Sequence, residues 1–132
     1  MKRRDAREIA FQLTYEMVLC GEYNADTFTE LLEKADGDSR EYVSSVIDGI
    51  KSHKAELRAV IEKYSHGYEV DRIYKTDLAA LYVACYEIMF TDTPKAVAAN
   101  EAVELVKTYS GAQSYSFVNG ILASVIKGES RE

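Results

Sequence analysis

The chain has no tryptophan, a single proline (Pro94) and only two cysteines among its 132 residues. One proline with seven glycines supplies too few turn signals for an all-β fold, which needs one about every ten residues. Cys20 and Cys85 cannot frame a disulfide-stapled domain, and such sparing cysteine use points to a reducing cytoplasm. No apolar run approaches the roughly 20 residues of a membrane helix. Met1 opens onto charged residues rather than the apolar core of a signal peptide. Disorder is excluded as well, because 47% hydrophobic and 29% charged residues make a globular balance. The length favours one domain.

Residue patterns for catalysis and metal binding are also missing. Neither His53 nor His66 follows a glutamate by three positions, as the di-iron bundle motif requires. Cys20 and Cys85 lie too far apart for zinc-site spacing and read as small core residues on apolar helix faces. There is no phosphate-binding glycine loop and no nucleophile elbow. Ser124 and Lys127 form a Ser-x-x-Lys string, but in the last turn of the final helix, where Lys127 offsets the helix dipole. The chain is therefore read as non-enzymatic, with no catalytic residue, no metal site and no cofactor.

What is present is helical periodicity from end to end, an all-α pattern of about seven helices in a compact bundle. A first helix spans about Arg4 to Leu19 and stops at Gly21. A second is capped by Asp26 or Thr27, the latter forming a capping box with Glu30. A third starts at Asp38 or Ser39, and a fourth carries Leu57, Val60, Ile61 and Tyr64. Ile73 to Met89 mark a fifth, in which Tyr82 and Tyr86 read mainly as core residues. Thr93-Pro94 caps a sixth, and Ser114 opens a seventh that Gly128 ends.

Net charge is −6, yet Lys2, Arg3, Arg4 and Arg7 crowd the first seven residues against Asp5 alone. An acidic chain with one basic end suggests a localised anionic partner. On a helical wheel Arg3, Arg4 and Arg7 fall within about 100° of one another, flanking the apolar face and within reach of solvent. Phe11 and Tyr15 extend that stripe with rings, a pairing suited to single-stranded RNA, whose phosphates need cations and whose unstacked bases need platforms. The plainer alternative makes Phe11 core and the arginines a solvated helix start. Asp77 reads either as a carboxylate compensating the fifth helix's dipole or as a partner contact.

Three segments then resemble the NusB transcription antitermination family. They are Arg3 to Glu8 with Gln12 and Tyr15, Val97 to Lys107 preceded by Pro94, and Phe117-Val118-Asn119-Gly120-Ile121-Leu122. The resemblance implies one NusB-like domain over 1–132, built as two three-helix subdomains side by side, about 1–67 and 68–132, with a further helix. It implies RNA contact by Lys2, Arg3, Arg4, Arg7 and Phe117, and a surface including Tyr15 and Asp77 for NusE, a small-subunit ribosomal protein. Together the two proteins would hold boxA-like RNA in the transcription elongation complex and support ribosomal RNA synthesis. The alternative is a protein-interaction module of that complex with little RNA binding of its own. No membrane partner is expected, and two copies could pair through the same surfaces as a homodimer. Asn100 and Asn119 are expected to satisfy buried backbone groups. Alanine at Arg4 and Arg7 is expected to weaken RNA binding while leaving stability nearly unchanged. Asp5, Tyr82 and Ser116 depart from the family's more basic pattern, which implies that most RNA affinity arises in the heterodimer.

Overall fold

A computed structural model describes residues 1–129, and among these residues the regular structure is entirely helical. Helix α1 spans Arg3–Cys20, α2 Ala25–Leu32, α3 Gly37–Tyr64, α4 Lys75–Phe90, α5 Lys95–Tyr109 and α6 Ala112–Glu129, with a 3-10 turn at Val70–Arg72 before α4. The all-α reading stands. The third and fourth predicted helices prove to be one element, α3, bent where His53 leaves helical geometry (φ −116°, ψ 18°) and stacks on Phe90 at 4.0 Å. The apolar spacing lapses through the polar stretch from Lys51 to Glu56 before it resumes at Leu57, which is why the sequence reads as two helices.

Helix ends follow local chemistry, with some shifts from expectation. Gly21 closes α1 in the left-handed region (φ 90°), where glycine carries no Cβ penalty. Asn24, rather than Asp26 or Thr27, caps α2 by accepting the Thr27 amide, and the Thr27 hydroxyl instead donates to Glu16 at 3.2 Å. Pro94 itself occupies the cap position of α5, displacing Thr93 from that role. Helix α6 starts two residues before Ser114, which is buried inside its first turn.

Helix α4 is the hub, packing against α1, α3, α5 and α6. Its run from Asp77 to Cys85 is buried almost all round, as a central helix must be, and its alanines allow close approach. A Cβ at Gly49 of α3 would fall 2.1 Å from the Tyr86 ring, so only glycine permits that crossing. Helix α1 contributes to both apolar clusters. Ala10, Phe11 and Met17 join the large core around α4, while Ala6, Ile9 and Leu13 meet Val43 and Ile47 of α3 in a smaller one. Cys85 is core, its thiol pushed up to about 12 by burial, whereas Cys20 at the exposed end of α1 is not core as expected.

Candidate nucleic-acid interface

The basic start of α1 divides into an outer and an inner set. Lys2, Arg3 and Arg4 are exposed. The Arg3 guanidinium lies 4.1 Å above the Tyr42 ring of α3, a cation–π contact that keeps the charge outward. Arg4 reaches across to α5, donating from Nε and Nη2 to the two carboxylate oxygens of Glu101 at 3.2 and 3.0 Å. That pairing holds Glu101 below the usual carboxylate range.

Arg7 corrects the expectation of a continuous exposed stripe. It is 4% exposed, lying where α1, α3, α4 and α5 meet. Its Nε and Nη2 donate to Glu87 of α4 at 3.1 and 2.9 Å, the Tyr42 hydroxyl donates to the same carboxylate, and Nη1 lies 3.6 Å from Glu101. Burial works against the Arg7 charge, but these carboxylates more than offset it. Burial, with Glu87 beside it, likewise pushes the Tyr42 hydroxyl well up. Arg7 is thus internal and positions the helix start. Replacing it would disturb the core, contrary to the expectation that stability would be unchanged. Glu87 was missed in the sequence, although a lone carboxylate in the apolar run Leu81 to Met89 signals a buried charge awaiting a partner.

Phe11 is 3% exposed and packs on Tyr109 at 5.2 Å, so it is core rather than platform. The Tyr109 hydroxyl donates to Glu8 at 2.8 Å, joining α1 to the end of α5. From there a row of clefts runs along the surface. Tyr15, half-buried, shares one with Tyr74 and the Ser110-Gly111 turn. The next, sharing Tyr74 and Ser114 with it, is lined by Tyr68 and Phe117, whose rings meet edge-on at 5.3 Å. Tyr68 and Tyr74 are among the most exposed large side chains, and sequence reading overlooked both.

Asp77 also differs from expectation. It is 1% exposed and accepts a hydrogen bond from Ser110 at 3.2 Å, with Ser114 bonding it as well. Burial pushes its carboxyl up, and the two hydroxyls restrain that rise. It pins the turn between α5 and α6, and its carboxyl lies buried at the floor of the cleft lined by Tyr68 and Phe117 rather than standing out from the surface. Asn100 and Asn119 are exposed, so they do not satisfy buried backbone groups. Ser124 donates to the Gly120 carbonyl at 3.1 Å, and Lys127 lies in the last turn of α6, which leaves the Ser-x-x-Lys string structural.

Comparison with known proteins meets this geometry. The NusB family model matches residues 4–127. The transcription antitermination protein NusB of Acetivibrio thermocellus is 43% identical over 130 residues, spanning 96% of this chain and 90% of its own. That of Finegoldia magna is 39% identical over 130 residues, spanning 96% and 95%. Among solved structures, T. maritima NusB superposes with a TM-score of 0.91 at 28% identity, covering 99% of this chain and 94% of its own. A chain from a crystal structure of antitermination factors NusB and NusE in complex with dsRNA gives 0.85 at 29% identity, covering 95% and 96%. Similarity of this extent, in sequence and in fold alike, means that the chain belongs to the NusB family of non-enzymatic transcription antitermination factors.

Proposed function

We propose that the protein binds boxA-like single-stranded RNA jointly with NusE and, within the elongation complex, supports transcription of ribosomal RNA. The observation that carries this reading is the exposed trio Lys2, Arg3 and Arg4 on a chain of net charge −6, together with clefts beside the α5–α6 turn that reach Tyr68 and Phe117. Cations at one end and rings at the other suit a strand whose phosphates and unstacked bases are held separately. The relative solved with NusE and dsRNA supports both partners. Arg7 acts in this scheme by fixing the pitch of α1, and Asp77 by fixing the turn beside Tyr15. Tyr15 and Tyr74 are the groups offered to NusE.

The test is RNA affinity with and without NusE across a salt series, on a boxA-like single strand and on its duplex. Three phosphate contacts predict a log–log slope of about −2 on the single strand. Single-strand binding that is strengthened by NusE and loses slope in the Arg3→Ala/Arg4→Ala variant supports the reading. Unchanged affinity in that variant overturns the RNA surface. A second reading, a protein-interaction module with little RNA binding of its own, draws on the pairing of Arg4 and Arg7 with Glu101 and Glu87, which leaves that quartet electrically balanced. It predicts NusE association without any RNA dependence on the arginines.

A further inference from the structure

The cleft between α1 and α5 contains a contact that RNA binding through Arg4 does not need. Arg4 is 70% exposed at its side chain, yet its Nε and Nη2 edge is turned inward onto Glu101, which is only 16% exposed. A guanidinium fork laid on a carboxylate has the geometry it would use on a phosphate, so the two anions compete for one edge. Glu101 is held by its helix and by a second cation, Arg7 Nη1 at 3.6 Å. When Arg4 leaves, Glu101 keeps a charged neighbour and is not stranded, which makes exchange inexpensive. The outer partner is the one free to move.

We propose that Glu101 is an internal competitor for RNA phosphate: it holds the Arg4 guanidinium until a backbone phosphate replaces it, and so sets how tightly the unpartnered protein binds RNA. This inference rests on the RNA-binding reading above. Cleft composition supports it, because three further carboxylates line the same space against three cations, and net attraction for a polyanion arises only if Arg4 is released outward. Glu104 provides an internal control. It lies one helical turn beyond Glu101 in the same cleft, but its ion pair is with Lys107 at 3.4 Å.

The experiment is equilibrium binding of a labelled single-stranded RNA carrying a boxA-like element, measured for the full chain at fixed low salt and across a salt series. Glu101→Gln should bind about two- to fivefold more tightly, the range that giving up one largely exposed ion pair allows. Its salt slope should stay close to that of the native protein, because the bound state keeps the same three phosphate contacts and only the cost of freeing Arg4 is removed. Glu101→Asp, which keeps the charge beside Arg7 but shortens the reach to Arg4, should move in the same direction. Glu104→Gln removes the same charge and should have the smaller effect. In an Arg4→Ala background the Glu101→Gln gain should vanish. Unchanged or weaker binding by Glu101→Gln, an equal gain from Glu104→Gln, or a gain that survives without Arg4 overturns the inference and leaves the RNA-binding reading in place. Absence of RNA binding by every protein, with or without NusE, overturns that reading and the inference together.

Discussion

Arg7 at the start of α1 and Asp77 at the start of α4 are both charged residues beneath a candidate binding surface, and both are almost fully buried. Their compensation differs. Arg7 meets a full opposite charge, Glu87, with Glu101 and Tyr42 close by, whereas Asp77 has only the hydroxyls of Ser110 and Ser114. A buried ion pair is costly to break because the surviving charge is stranded, while a carboxyl bonded to hydroxyls can take up a proton or be replaced by an amide. Above each buried group stand the outward ones, Arg3 and Arg4 at one site and Tyr15, Tyr74 and Phe117 at the other. The inner residues therefore govern stability, and in the proposed function the outer ones serve recognition.

The largest effect should come from breaking the stronger compensation. Arg7→Ala leaves Glu87 buried without its partner and should lower unfolding free energy by about 3–5 kcal/mol, measured by urea denaturation. The double change Arg7→Met with Glu87→Leu should recover most of that loss. A double variant as unstable as the single one would show that the pair's charge is not what matters.

Asp77→Ala should be milder, about 1–3 kcal/mol, from hydroxyls left without their acceptor. Asp77→Asn sharpens the contrast through pH. Burial raises the folded-state pKa of Asp77, so its stabilising contribution is complete below the ordinary aspartate range and is lost as pH rises through the raised value. The asparagine variant should thus gain on the native protein in melting temperature between acid and neutral pH. A constant difference would remove Asp77's titration from the account.

Phe117→Ala should weaken binding of the boxA-like single strand by about 1–3 kcal/mol, the typical worth of one stacked base, as read by fluorescence anisotropy. Arg4→Ala should do least to the fold. Its melting temperature should match the native protein, while the salt slope of RNA binding falls by about 0.7. If Arg4→Ala destabilised the protein as Arg7→Ala is expected to, the division into inner and outer arginines would be wrong.

Much of this was legible in the sequence. Spacing of Ile9, Leu13 and Met17, or of Val118, Ile121 and Val125, marks helices because apolar period is a property of a few adjacent turns. Gly21 announced the end of α1 for an equally local reason. The bend at His53 was invisible as a bend, since it needs the Phe90 ring from another helix. The wheel placed Arg7 beside the apolar face but could not say what it would meet there, because Glu87 lies 80 positions away. Asp77 and Ser110 are 33 apart. Asn100 and Asn119 sit in recognisable family segments, but their exposure depends on which way each helix faces its neighbours.

From its sequence alone the chain had to be helical, acidic with a basic opening, and similar to one family, for these properties follow from composition, local periodicity and motif. Which charges reach solvent was decided only when α1, α3, α4 and α5 came together. A charge withdraws into a protein when a counter-charge is waiting at the right distance, and in this fold those counter-charges arrive from distant helices.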